Sequence, residues 1–160
     1  MSLTKYLVES AICLQMDAEN STEVIRQLGQ RLIDAGLVKE SFIDAALTRE
    51  SALPTGLPLG GEINAAIPHT DIEHVIHSGV ALATLNKPVV FQNMVSPDEA
   101  VEVRIVFLLA LEEPHAQIEM LQEVAGVLQD SQLLQRLLAA TDAKEVMSAF
   151  SQAEKQSGIR

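Results

Sequence analysis

Two imidazoles and one guanidinium in this sequence have the chemistry needed to carry a phosphoryl group, and His69 is the first of them. It follows Pro68 at the end of the largely apolar run 63–67, and an acidic turn begins at Asp71. Proline fixes its own φ and has no N–H, so the backbone that enters His69 is stiff and cannot continue a helix. A stiff backbone aims a side chain reproducibly, as a nucleophilic imidazole requires. His69 is therefore our candidate phosphoryl acceptor.

The chemistry at His69 needs a neutral ring and partners for the phosphate oxygens. An unperturbed imidazole pKa of about 6.5 leaves the ring neutral at physiological pH. One ring nitrogen attacks, while the other must carry its proton and is best held by an acceptor such as a backbone carbonyl. Arg49 offers a planar fork for phosphate oxygens. His115, at the predicted start of a helix, could donate a hydrogen bond beside the helix N–H groups. From the residues alone, a solvated Arg49 and a helix-capping His115 remain open alternatives.

The other two histidines, His74 and His77, are three residues apart and could share a helix face. Zinc would need a third ligand there, such as Asp71 or Glu73, and the sequence has no H-E-x-x-H pattern. The single cysteine, Cys13, also excludes a disulfide within the chain and a cysteine-based zinc site. We therefore interpret His74 and His77 as ordinary surface or core residues and expect no metal site.

The composition favours one domain over residues 1–160, with 48% apolar residues for the core. A net charge of −11 without a basic cluster disfavours nucleic acid and anionic membrane surfaces as partners. Aromatic residues make up only 3% of the chain, too few to stack bases. We find no signal peptide and no apolar stretch that reaches the roughly 18 residues of a membrane span. A cytoplasmic protein without membrane insertion is expected.

Helices and strands alternate in the predicted element order, which is typical of an α/β protein. The segment 53–61 is interpreted as a loop, with a short strand towards Ile67. The nearly all-apolar run 101–111 implies a strand that is buried on both faces, so helices should cover both sides of a small sheet. Apolar spacing and capping signals predict helices over about 20–35, 40–51, 114–128 and 133–138, a terminal helix from about 142, and strands over 79–85, 89–91 and 101–111, the first two strands being joined through Asn86-Lys87-Pro88.

Several short motifs stand out in the sequence: Arg49-Glu50, Thr55-Gly56, Ile67-Pro68-His69, and His115 ahead of Ile118 and Leu121. Together they resemble a known family, the cytoplasmic enzyme IIA domain of the sugar phosphotransferase system (PTS), in its mannitol–fructose group. The resemblance covers roughly residues 5–150. Within the group, the sequence is most similar to the galactitol branch, through Leu53-Pro54-Thr55-Gly56 and Pro68-His69-Thr70-Asp71-Ile72-Glu73-His74.

The resemblance implies a mixed sheet flanked by helices, a phosphotransferase component that is phosphorylated on His69, and assistance from His115 and Arg49. It also implies that Thr55 supports the phosphate site. The phosphoryl group would arrive from the carrier HPr and leave to a cysteine on a separate enzyme IIB, which works with a membrane enzyme IIC in galactitol-like sugar uptake. No metal or organic cofactor would take part. A regulatory relative of the nitrogen type, uncoupled from transport, is the first alternative. A non-catalytic interaction module is the second.

Overall fold

The computed structural model describes residues 2–157 and contains one mixed sheet with helices on both sides. The sheet has five strands in the order β1-β4-β5-β3-β2. β4 runs antiparallel to β5 and parallel to β1, while β3 is parallel to β5 and antiparallel to β2. The elements are α1 (Ser2–Tyr6), β1 (Leu7–Met16), α2 (Ser21–Asp34), α3 (Phe42–Ala52), β2 (Gly56–Leu57), β3 (Ala65–Ala66), a 3₁₀ turn (Ile72–His74), β4 (Gly79–Gln92), β5 (Ala100–Ala110), α4 (Pro114–Val127), α5 (Ser131–Ala139) and α6 (Ala143–Ser157).

The strand β5 divides the core into two apolar clusters. Val106 and Leu108 face the first cluster, in which α2 and α3 cover the sheet. Ile105, Phe107 and Leu109 face the second cluster, which α4, α5 and α6 cover. Alternate residues of a strand point to opposite faces, so the part of β5 that lies between the two helical layers, residues 105–110, is apolar on both faces. The predicted α/β fold, a small sheet between helices, is confirmed.

Local capping signals in the sequence mark helix ends correctly. The Asn20 side chain accepts a hydrogen bond from the Glu23 N–H (3.0 Å) at the start of α2. The Asp142 side chain accepts one from the Glu145 N–H (2.8 Å) at the start of α6. Gly36 adopts a φ of +76° just after α2, a conformation that glycine reaches without steric cost. The bounds of these helices were predicted within a few residues for this reason.

The predicted break at Asn86-Lys87-Pro88 is wrong, because residues 79–92 form one continuous strand. The pairing with β5 shifts register between Thr84 and Val89, so the three residues form an exposed bulge within β4. A bulge leaves residues outside the hydrogen-bond ladder, and it therefore tolerates a proline that has no N–H to donate.

Candidate functional site

The backbone of His69 is attached to the sheet beside β5. The carbonyl of Pro68 accepts a hydrogen bond from the Leu109 N–H (3.0 Å), and His69 pairs with Leu109 as an isolated parallel bridge. The side chain lies against the sheet, and only 6% of the residue is exposed. The proline and the bridge together fix the backbone at the predicted phosphoryl acceptor.

The His69 ring is held in one tautomer by the backbone. Its Nδ1 lies 2.9 Å from the Ile67 carbonyl oxygen. A carbonyl oxygen can only accept, so Nδ1 carries the proton, and the lone pair of the neutral ring lies on Nε2. Burial lowers the pKa of His69, although the Ile67 hydrogen bond and Asp71 partly oppose this and Arg49 adds to it. The site therefore presents a neutral imidazole with Nε2 as its available nucleophilic atom.

Arg49 lies in the last turn of α3, close enough to His69 for its charge to lower the pKa of the imidazole. Its Nη1 lies 3.4 Å from Asp71 Oδ1, and its side chain is 33% exposed. Its buried Nε has no hydrogen-bond partner among the described residues. The guanidinium thus keeps donors unused beside the imidazole. The sequence analysis assigns Asp71 no partner in the site, although its position two residues after His69 is a signal for the pairing with Arg49.

Thr55 is buried and has no free hydroxyl proton. Its Oγ1 donates to Glu50 Oε1 (2.8 Å), and its N–H donates to Glu50 Oε2 (2.9 Å). The same Oγ1 accepts from the Ile67 N–H (3.2 Å). Burial raises the pKa of Glu50 to about 7, and the two hydrogen bonds from Thr55 oppose this rise. The structure therefore places Thr55 against the backbone that precedes His69, and it brings in Glu50, to which the motif assigned no role.

Gly56 fixes the Thr55 turn against the far end of β4. A Cβ atom on Gly56 would lie 2.6 Å from the Gln92 carbonyl oxygen, so only glycine fits there without a shift. The Gly56 carbonyl accepts a hydrogen bond from the Met94 N–H (2.8 Å). The close approach of the two backbones explains the glycine that follows Thr55.

His115 is the second residue of α4 and is exposed. It forms no hydrogen bond or ion pair among residues 2–157. Because α4 follows β5 after a short connection, His115 and the Leu109 partner of His69 lie near the same end of that strand. His115 is therefore at the N-terminus of a helix, as predicted, with its ring unengaged.

Comparison with known proteins identifies the family of this chain. The family model described as "Phosphoenolpyruvate-dependent sugar phosphotransferase system, EIIA 2" matches residues 5–153. The chain belongs to this family. The EIIA components of this system are phosphotransferase components. The fold that contains His69 is therefore one that phosphotransfer proteins share.

Two curated Escherichia coli (strain K12) proteins are similar to this EIIA chain. The PTS system galactitol-specific EIIA component is 31% identical over 132 residues, which cover 81% of this chain and 86% of that protein. The PTS system 2-O-alpha-mannosyl-D-glycerate-specific EIIABC component is 32% identical over 155 residues, or 94% of this chain. The chain spans only 22% of the length of that second relative.

A solved structure supports the fold. The complex of enzyme IIAMTL and phosphorylated enzyme IIBMTL from Escherichia coli contains a chain that aligns with a TM-score of 0.73 and 26% identity. The alignment covers 91% of this chain and 96% of that one. The predicted mannitol-type IIA fold is confirmed by this likeness.

The remaining histidines of this EIIA chain lie outside the His69 site. His74 Nδ1 lies 2.8 Å from Ser41 Oγ, and His74 Nε2 lies 3.9 Å from Glu73 Oε1. His77 is exposed. Within residues 2–157 no group of three or more His, Cys, Asp or Glu side chains is placed to hold a metal ion. The Ser41 contact instead joins the segment after His69 to the start of α3, the helix that carries Arg49.

No helix within the described part of the chain combines the length and the apolar character that a bilayer crossing requires.

Proposed function

We propose that this EIIA chain is a phosphocarrier, in which His69 accepts a phosphoryl group from phosphorylated HPr and passes it to a cysteine of a separate enzyme IIB. The observation that carries the proposal is the Nδ1 contact of His69 with the Ile67 carbonyl (2.9 Å). It leaves Nε2 unprotonated in a ring that burial keeps neutral. A nucleophile of this kind needs no general base, because it has no proton to lose at the attacking atom.

The first transfer forms a bond from phosphorus to His69 Nε2 and breaks the bond from phosphorus to the donor imidazole. The Nδ1 proton stays in place, so positive charge develops on the ring and the Ile67 carbonyl stabilises it. Phosphoryl transfer depends mostly on positioning and on charge stabilisation of the three equatorial oxygens. The Arg49 guanidinium supplies positive charge for these oxygens beside the ring, and His115 donates a hydrogen bond to them from the start of α4. In the second step, a thiolate sulfur takes the phosphoryl group and the ring returns to its neutral form.

Cys13 is a poor candidate for the acceptor thiol. Burial raises the pKa of the Cys13 thiol, which disfavours the thiolate form that attacks phosphorus. The complex of a IIA enzyme with phosphorylated IIB among the solved relatives supports enzyme IIB as that partner. The galactitol-specific relative supports a galactitol-like sugar, taken up through a membrane enzyme IIC.

The direct test is incubation with phosphoenolpyruvate, enzyme I and HPr, followed by intact-mass measurement. We expect one acid-labile phosphoryl group on the wild-type protein and none on His69→Ala. His77→Ala, an exposed histidine without an assigned role, is the matched control and should be labelled like wild type. Labelling of His69→Ala at the wild-type level would refute the proposal.

The supporting residues are tested by rates. Losing one preorganised donor to the transferring group should slow phosphorylation by about 10²–10³-fold, as deletions in oxyanion holes do. Arg49→Ala and His115→Ala should therefore react slowly while keeping the wild-type circular dichroism spectrum. Wild-type rates in either variant would remove that residue from the mechanism.

The outgoing partner is tested with purified phosphorylated protein. Fast transfer to a galactitol-type IIB, and slow transfer to mannitol- and fructose-type IIB, is expected. Transfer to none of them would favour a regulatory phosphoprotein of the nitrogen type.

The metal requirement is tested on the incoming transfer. Transfer from already phosphorylated HPr, with enzyme I removed, should continue in the presence of a chelator. Loss of transfer that zinc restores would contradict the metal-free mechanism.

A further inference from the structure

A continuous set of hydrogen bonds links Glu50 to the His69 ring through two other residues. The Glu50 carboxyl accepts both the hydroxyl and the N–H of Thr55 (2.8 and 2.9 Å). Thr55 accepts the Ile67 N–H at its Oγ1 (3.2 Å) and at its carbonyl oxygen (3.3 Å). The Ile67 carbonyl then accepts the His69 Nδ1 proton (2.9 Å).

We propose that Glu50 is a positioning residue for phosphotransfer, which acts through Thr55 and Ile67 to hold His69 in the Nδ1–H tautomer with Nε2 aimed outward. The inference rests on the proposed function of His69 as the phosphoryl acceptor. It assigns to Glu50 a role in the reaction without contact with the reacting atoms.

The direction of each hydrogen bond follows from the chemistry of the carboxylate. An ionised carboxylate only accepts, so the Thr55 hydroxyl must donate its proton to Glu50. The lone pairs of Oγ1 are then free for the Ile67 N–H. Any residue that donates to Thr55 at this position would leave the hydroxyl proton without its present acceptor. In its ionised form, which predominates above about pH 7, Glu50 only accepts, and this determines how Thr55 meets Ile67.

The link from Thr55 to His69 is positional. The N–H and the carbonyl of Ile67 belong to two different peptide units, so polarisation of one does not pass directly to the other. Thr55 instead holds the backbone of Ile67 from one side, and Pro68 restricts it from the other. With both sides held, the Ile67 carbonyl has few other directions available, and its observed direction meets the Nδ1 proton. The ring nitrogens of a functional histidine are commonly oriented by such partners.

The cost of retaining the carboxyl supports a role beyond fold stability. Glu50 is partly buried, and among residues 2–157 no ion pair to it is seen. The neighbouring Arg49 is directed to Asp71 instead. A partly buried carboxyl without a cation is a poor source of stability, because burial penalises its ionised form. Its distinctive contribution is the pair of acceptors that it presents to Thr55.

The test compares Glu50→Gln with wild type at about pH 8, where wild-type Glu50 is mostly ionised. The amide can accept the Thr55 N–H, but its NH₂ group donates and cannot accept the Thr55 hydroxyl. Glu73→Gln, an exposed carboxyl near the site, is the matched control. The first readout is the ¹⁵N chemical shift of both His69 ring nitrogens. Wild type and Glu73→Gln should show a protonated Nδ1 and an unprotonated Nε2, while Glu50→Gln should show a mixture of tautomers.

The second readout is the rate of phosphorylation by phosphorylated HPr. We expect kcat to fall by about 10–100-fold in Glu50→Gln with KM unchanged, as seen when partners that orient a ligating histidine are lost. A variant with wild-type tautomer and wild-type kcat overturns the proposal. A variant that loses only thermal stability, with the tautomer and kcat retained, also overturns it, because Glu50 would then support the turn alone.

A second pair of variants keeps the test decisive if Glu50→Gln does not fold. Thr55→Val removes the hydroxyl and should shift the tautomer and kcat as Glu50→Gln does. Thr55→Ser retains a hydroxyl and should rescue both relative to Thr55→Val. Equal behaviour of the Ser and Val variants overturns the proposal. The tautomer readout does not depend on transfer, so failure of wild type to accept phosphate would refute the proposed function while leaving the Glu50 test intact.

Discussion

Glu50 should make the stability of this protein fall as the pH rises towards neutrality. Burial raises the pKa of Glu50 from 4.5 to about 7 in the folded protein. One pKa unit corresponds to about 1.4 kcal/mol, so the shift is worth about 3 kcal/mol. The folded pKa lies above the unfolded one, so the folded state binds more protons between these two values. This contribution to stability is therefore fully present below about pH 4.5 and is lost as the pH rises through about 7.

The measurement is urea unfolding of wild type and Glu50→Gln from about pH 4.5 to about pH 8.5, followed by far-ultraviolet circular dichroism. Glutamine does not titrate, and the other groups are shared, so the difference between the two unfolding free energies isolates Glu50. It should move in favour of Glu50→Gln by about 3 kcal/mol across the range. Glu73→Gln controls for the loss of a carboxyl at an exposed position. A difference that stays constant with pH, or that moves in favour of wild type, would refute the reasoning.

Three further predictions concern the packing and the ring. Gly56→Ala should lower the free energy of unfolding by about 1–3 kcal/mol, because the new Cβ would lie 2.6 Å from the Gln92 carbonyl oxygen. Gly61→Ala is the control, since a Cβ at Gly61 would meet open space. Equal urea midpoints for the two variants would contradict the prediction. Phe150→Ala should lower the free energy of unfolding by about 3–5 kcal/mol, because the Phe150 ring is fully buried. A loss below about 1 kcal/mol would contradict this, because it would mean that the surrounding core fills the space of the missing ring. The His69 imidazole should titrate below about 6.5 by NMR, because burial disfavours its charged form; a midpoint at or above that value would contradict the buried geometry.

Much of the fold could be predicted because its signals are local. Asn20 and Asp142 precede helices that their side chains cap, and capping depends only on residues three positions away. The run 105–111 is apolar throughout because helices cover both faces of the sheet there. These features express short-range geometry or simple burial, which a sequence displays directly.

Three parts of the sheet could not be predicted from local signals. The two-residue strand β2 (Gly56–Leu57) lies within the segment 53–61, which was interpreted as a loop. β1 was not predicted, because among its residues only Ala11 and Met16 are buried, and an edge strand with that pattern carries little periodicity. The bulge at 86–88 was interpreted as a break because proline usually ends a strand. Whether such a residue ends a strand or bulges from it depends on the partner strand, which is known only once β5 lies beside it.

The sequence by itself determined which side chain could carry a phosphoryl group. The proline before His69, the arginine twenty residues upstream and the later histidine are properties of residue type and spacing. Only the tertiary structure decided which ring nitrogen is available and what holds the ring. That depends on the Ile67 carbonyl meeting His69, on Thr55 meeting Ile67 across a loop, and on Glu50 meeting Thr55. Hydrogen bonds select donors and acceptors by tenths of an ångström, and such distances exist only after the sheet has brought separate segments together.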